Sequence, residues 1–419
     1  MKFLCDLSLK SKDFKRLDKA LAKNRAVAVS GLTPVHKAHT VYSLCISRKC
    51  RAFCVAADER EAALLHEDLT SMGLSAAIYP YRDFNFRSLE GYSREYEHQR
   101  LSVLNRILSG ELDAVIACAD GALQYTVPEN TLRAATLKLR IGESVSLEKA
   151  VEALALLGYE RCDQIEGVGQ FSVRGGILDF FSPDSEYPVR VEFWGDEVDS
   201  MSYFDLSTQR RNENAEEIIL SPSAEVFVKD REELALKIEK KAKLLRSENS
   251  QKAKEILLNE AEEIRQGISL SNIDKYIGLV YGETATLLDY IDDSFICFIS
   301  EESEVKEKLK AAEFRYKEDI VDYFAEGILC RGFDTYCESY DTLLEKALIN
   351  GVVYLDNFTH GSHELPLSDF LSFSAKQLPA LSGTIADFCE ELKAIELSRS
   401  IVVVLCFTEK GAENIAKAL

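Results

Sequence analysis

Residues 170–200, QFSVRGGILDFFSPDSEYPVRVEFWGDEVDS, leave little choice of local fold. Val189, Val191 and Phe193 alternate with Arg190, Glu192 and Trp194, the period-two pattern of a strand with one covered face. Ser182-Pro183-Asp184 marks a turn. Gly195-Asp196, between Trp194 and Glu197, fits a two-residue hairpin loop with glycine first. Gly175-Gly176 after Arg174 predicts a bulge or a bend. The stretch is therefore an antiparallel meander. Its polar face carries Arg190 beside Trp194, the chain's single tryptophan, and that pair has the composition of an interaction anchor. A solvated face with one stray aromatic would alternate in the same way.

The 419 residues suffice for roughly two to four domains. A net charge of -20 argues against a charge-driven nucleic-acid binder, which needs a basic footprint. No apolar run reaches the roughly 20 residues of a membrane helix; 295–299 and 401–407 are only strand-length. The N-terminus MKFLCDLSLKSKDFKRL has charges where a signal peptide needs an apolar block, so a cytoplasmic location is expected. The 11 cysteines contain no C-x-x-C pair and read as reduced, buried thiols. Cys45, Cys50 and Cys54 are close in sequence, but no nearby cluster completes a zinc site.

Short apolar runs at 26–29, 52–56, 76–79 and 114–118 alternate with helical patterns, which predicts a mostly parallel sheet. After the first run comes Gly31-Leu-Thr-Pro-Val-His36-Lys37-Ala38, to be compared with the phosphate loop G-x-x-x-x-G-K-[ST]. The first glycine and the lysine are in place. His36 replaces the second glycine, Ala38 replaces the magnesium hydroxyl, and Pro34 removes a donor amide. The loop has the position of a nucleotide site without its chemistry.

Residues 80–104 interleave aromatics with Arg82, Arg87, Arg94 and Arg100, which can stack nucleic acid or form a loop and a solvated helix. A helix over 147–157 is predicted, with Ser146 as N-cap and Gly158 as its stop. Residues 229–266 read as a helical hairpin packed on the first unit, or as a partner-binding coil. Strands at 370–373 and 401–407 and helices at 384–395 and 409–419 are expected to follow. The ending inside a helix at Leu419 reads as a cut or a domain edge. His360-Gly-Ser-His363-Glu364 has metal-ligand spacing but sits in a Gly/Ser loop with no further ligand in evidence, so no metal is expected.

Several segments carry a resemblance by their order and spacing. They are Gly158-Tyr159-Glu160-Arg161-Cys162-Asp163, residues 169–181 and 189–200, and Phe204-Asp205 with Gln209-Arg210. Together they resemble the N-terminal part of the bacterial transcription-repair coupling factors (Mfd) and, through them, the excision-repair protein UvrB. Residues 81–101 and Leu287-Leu288-Asp289-Tyr290 match more weakly. The likeness covers most of the chain and fades after about residue 335.

The resemblance implies an α/β fold: a degenerate P-loop-type parallel α/β domain, UvrB-like and split into 1–135 and 226–340. An α+β domain at 136–225 would be inserted in it, and a small α/β domain at 341–419 would follow, truncated or complete. It implies that the inserted domain docks the damage-recognition protein UvrA through Arg174, Arg190 and an aromatic at Trp194, where the family usually has Phe. The full-length proteins are ATP-dependent DNA translocases that displace stalled RNA polymerase from double-stranded DNA. Their motor domains have no counterpart here, and their C-terminal domain masks the UvrA face.

The departures from UvrB matter as much. The nucleotide site is degenerate at Gly31, His36, Lys37 and Ala38, and Ser300-Glu301 stands where UvrB has an acidic Asp-Glu pair. Phosphoryl transfer thus lacks two of its requirements, so no catalytic residue and no cofactor are expected. Pro128 follows Leu123-Gln124-Tyr125 too soon to leave room for UvrB's DNA-wedging hairpin. The expectation is a non-catalytic module recruiting UvrA in transcription-coupled repair. Its rivals are a UvrB-type DNA-dependent ATPase and a DNA-binding module working through Arg82 to Arg106.

Overall fold

The computed structural model describes residues 2–87, 93–246, 250–359, 361–373, 384–396, 404, 406 and 408–418. Four strands come first: β1 (Ala26–Ser30), β2 (Arg51–Ala56), β3 (Ala76–Tyr79) and β4 (Ala114–Cys118). Then follow β5 (Leu137–Arg140), β6 (Glu160–Arg161), β7 (Gln170–Arg174), β8 (Ile177–Phe180), β9 (Val189–Trp194), β10 (Glu197–Phe204), β11 (Arg211–Asn214) and β12 (Glu217–Leu220). The last three are β13 (Phe295–Ser300), β14 (Val352–Leu355) and β15 (Leu367–Ser372).

The main sheet has seven parallel strands in the order β15-β1-β14-β13-β2-β4-β3. Its central strands are near-continuous apolar runs, buried throughout in β1, β13 and β14, because helices cover both faces. One face packs Phe53, Val115, Phe295 and Tyr354 in its core, and the other packs Val27, Cys54, Ile116 and Phe298. The parallel α/β class is the expected one.

Residues 341–419 were expected to form a separate small domain. Instead β14 and β15 flank β1 in the main sheet, with Ala26 opposite both Val352 and Leu367. A four-residue apolar strand shows its length in sequence but not which sheet it joins. The strand expected at 401–407 falls largely outside the described residues.

The insertion begins and ends on one antiparallel pair, β5 with β12, Leu137 opposite Leu220. Between them lies a six-stranded sheet in the order β11-β10-β9-β8-β7-β6. It closes over the helix Leu147–Leu156, which Ser146 caps and which buries Ala150 and Leu154 against Phe180, Val189 and Val191. Helices Arg231–Leu244 and Gln251–Arg265 form the anticipated hairpin. Their buried Leu234, Ile238 and Leu257 share a core with Phe86, Tyr276, Phe333 and Tyr336.

Residues 82–106 are not an exposed stacking platform among the described residues. Arg82 and Arg100 are buried. Arg82 Nε bonds Glu225 at 2.6 Å and its two Nη atoms fork onto Asp274 at 2.8 and 3.0 Å. Arg100 Nε reaches the other Glu225 oxygen at 2.7 Å, and its ring-facing side lies over Tyr79. Thr126 donates to the same carboxylate. Arg94 pairs with Glu97 at 2.7 Å and donates to the carbonyls of Gly158 and Ser223. Arg82 and Arg100 are thus neither stacked on nucleic acid nor solvated but meet buried carboxylates of distant segments, while Arg87 stays exposed beside Glu326.

Removing one member of such a set strands the others in low dielectric. Glu225→Ala should cost about 3–5 kcal/mol of unfolding free energy in urea titrations. A loss below about 1 kcal/mol would mean that the cluster is not a latch. Burial pushes the Glu97 carboxyl up, but Arg94 and Arg82 outweigh it and hold the group down at about 2, against an ordinary 4.5. A depressed folded pKa gives stability that is present above the unfolded value and is lost as pH falls toward the folded one. Glu97→Gln should thus be less stable than wild type at pH 7 by about 3 kcal/mol, with the gap narrowing below about pH 4.5. A gap independent of pH would reject the assignment.

Candidate functional site

The candidate face is built on β7 to β10. Alternation sends Val189, Val191 and Phe193 into the core and leaves Arg190, Glu192 and Trp194 on the other side, as expected. Register then lines up Ser172, Asp179, Arg190 and Ser202 across four strands. Trp194 pairs with Glu197 across the Gly195-Asp196 loop. Gly195 has φ 63 and Asp196 is not left-handed, which is the pattern of a glycine-first hairpin turn. Gly175-Gly176 is no bulge. It is the two-residue loop joining Arg174 to Ile177, with Gly175 at φ 62.

This register brings the three expected residues onto one surface. Asp179 stands between the arginines with a side chain only 2% exposed. Its Oδ1 accepts from Arg190 Nε at 2.7 Å, and its Oδ2 accepts from Arg190 Nη2 and Arg174 Nη2, each at 2.8 Å. Arg190 also lies over the Phe204 ring, 4.7 Å from its centroid, and is 17% exposed. Arg174 is 51% exposed and Trp194 83%. Four residues along a strand put Trp194 about 13 Å from Arg190. The surface can thus offer an aromatic anchor and two ordered guanidinium forks.

A second set of expected residues meets at the carboxyl ends of β1 and β13. The helix Pro34–Arg48 starts directly after Thr33, so only 31–33 separate it from β1. The Lys37 amide already donates to Thr33 at 3.0 Å as part of that helix. Gly31 has φ 79, and a Cβ there would lie 2.0 Å from the Phe373 carbonyl oxygen. Lys37 is 4% exposed, its ammonium bonding Glu301 at 2.6 Å, Ser300 Oγ at 2.9 Å and Glu61 at 3.2 Å. Ala38 is buried, and burial, with His39 nearby, lowers the His36 pKa. Protein backbone and carboxylates fill the ground around Lys37 that a phosphate cradle needs open.

His363, whose spacing resembles that of a metal ligand, points its ring nitrogens at Glu302 (3.0 Å) and Asp356 (3.4 Å) and stacks on Tyr354. His360 lies outside the described residues.

The UvrB interaction domain family matches residues 137–226, the β5-to-β12 insertion that carries the face. Over 377 residues the chain is 26% identical to the transcription-repair-coupling factor of Bacillus subtilis, covering 88% of this chain and 32% of that protein. The factor of Staphylococcus epidermidis is 25% identical over 97% of this chain and 35% of its own length. That of Staphylococcus haemolyticus is 23% identical over 99% and 36%. Over most of its length the chain is similar to the transcription-repair coupling factors. It spans about a third of the length of these curated relatives.

One partner of the candidate face, Asp179, escaped the sequence reading. Asp179 is an acid inside the apolar run Ile177-Leu178-Asp179-Phe180, and its cross-strand position opposite Arg190 was the available signal. Glu301, which only the resemblance set beside the degenerate loop, carries the chief contact of Lys37 and adopts φ 49. With Lys37 built in as an ion-pair partner, Lys37→Met should destabilise the fold by about 3–5 kcal/mol, because Glu301 and Glu61 would face each other uncompensated. Urea unfolding reads this directly, and an unchanged midpoint would show that the lysine is not structural.

Proposed function

We propose that this chain is a non-catalytic recruitment module that docks the excision-repair protein UvrA and so serves transcription-coupled DNA repair. The observation that carries the reading is the ordered Arg174–Asp179–Arg190 set beside the exposed Trp194, inside the segment matching the UvrB interaction domain. The names of the relatives support the repair context. An aromatic flanked by arginines is the residue set that dominates binding energy at protein interfaces.

The absence of catalysis is part of the proposal. It is supported by the closed loop at 31–33 and by a Lys37 ammonium already paired with Glu301 and Glu61. DNA translocation, RNA polymerase binding and masking of the UvrA face by a C-terminal domain are proposed for the whole coupling factor, not for this third of it. The module would operate in the cytoplasm, and among its described residues no helix is long and apolar enough to cross a membrane.

Titration with purified UvrA tests the reading, following the emission of the single tryptophan together with the mass of the complex. Saturable binding with a Trp194 response is expected. Arg174→Ala and Arg190→Ala should each weaken it by about 1–3 kcal/mol while the fold persists. Full affinity in both variants would move the docking site elsewhere. DNA-stimulated ATP turnover by this chain would overturn the non-catalytic reading.

A further inference from the structure

We infer that Asp179 is the positioning residue of the docking face, and that the face recognises carboxylates by fork geometry rather than by net positive charge. This rests on the docking reading above. One buried carboxylate accepts three N–H bonds from two arginines, so both guanidinium groups converge on it. Of five N–H donors on each guanidinium, Arg190 spends two here and Arg174 one. The remainder stay available on fixed planes.

The charge balance explains why geometry must do the discriminating. Asp179 cancels one of the two arginine charges, and Glu192 on the same face is paired with Arg211. The chain as a whole carries -20. A patch with so little excess charge cannot steer an acidic partner from a distance, since long-range attraction follows net charge. A fork with its plane already fixed loses less entropy on pairing, which strengthens short-range recognition. The partner surface that fits therefore presents one or two acidic side chains to Arg174 and Arg190. It adds an apolar socket for Trp194 about 13 Å further along β9.

The sign of one substitution separates positioning from charge. Asp179→Asn keeps the shape and makes the face more positive. Positioning predicts that UvrA affinity falls tenfold or more, by faster dissociation, at low and high salt alike. Charge-driven docking predicts equal or tighter binding, and that result would overturn the inference. Because Asp179 is buried, its variant could unfold, so exposed Arg174 supplies a second test. Arg174→Lys retains the charge without the fork and should lose as much affinity as Arg174→Ala; full retention would also overturn the inference.

The Arg190 Nε–H, bonded to Asp179, provides a readout that needs no partner: a slowly exchanging resonance is expected in the free chain and should be lost in Asp179→Asn. If wild type itself fails to bind UvrA while that resonance behaves as expected, the docking reading is lost and the arginine ordering stands. If wild type binds and the resonance is unchanged in Asp179→Asn, the docking reading stands and the positioning role is lost.

Discussion

Glu225 has no exposed surface and holds two buried arginines at once, Arg82 on one oxygen and Arg100 on the other. It follows directly on the last residues of the insertion, where Ser223 and Glu225 leave β12 for the second helical half. Arg82 comes from the loop after β3, Arg100 from the helix Glu95–Ser109, and Asp274 from beyond the helical hairpin. A single charge cluster thus joins the exit of the insertion to both halves of the body around it. Arg94 extends the tie by donating to Gly158 and Ser223, and Glu97 by accepting the Glu225 amide at 2.7 Å. Ion pairs this deep do not return much net stability over an apolar core, because desolvation consumes most of the Coulomb gain. What they impose is uniqueness, since any other arrangement of these segments would strand a charge.

A rigid seat matters for the face at the other side of the insertion. β5 and β12 leave the main body as a pair, and the Asp184 turn reaches back to Asn105 at 2.9 Å. The six-stranded sheet is therefore held at its root and again at one of its turns. Within it, Asp179 fixes the arginines, and the hairpin at Gly195 fixes the strand end that exposes Trp194. Order is supplied twice by the same device, in the body by Glu225 and in the sheet by Asp179: a buried carboxylate that satisfies more than one cation.

How much of this was legible in the sequence depends on range. The alternation at 189–194 and the glycine loops are local, and the sheet, its inward face and its outward residues follow from them. The helix cap at Ser146 and the hairpin at 231–265 are local as well. The partners of Arg82 lie 143 and 192 residues away, and no periodicity reports them. Arginines interleaved with aromatics look alike whether they await nucleic acid or enclose a core, because both environments want a planar cation beside a ring. The membership of β14 and β15 in the main sheet was hidden for the same reason, since parallel pairing across long crossovers leaves no mark on either strand alone.

The loop after β1 shows the inverse arrangement, one buried cation shared by two carboxylates. A lysine at that place in a phosphate loop needs an anion, and the fold supplies Glu301 and Glu61 in its stead. Asn357 N–H also bonds Glu301, so the substitute anion is tethered to the end of β14. Once the charge is satisfied internally, the glycines that would open a cradle have no steric reason to persist. His36 and Ala38 can occupy the first helical turn at no cost to the pairing. Lys37 is different: losing it would leave Glu301 and Glu61 without their shared cation. On this account the lysine serves the fold, whereas His36 and Ala38 take no part in the pairing. A half-matching phosphate motif, read in sequence, thus located the strand-to-helix junction at 30–34 and the buried lysine beyond it.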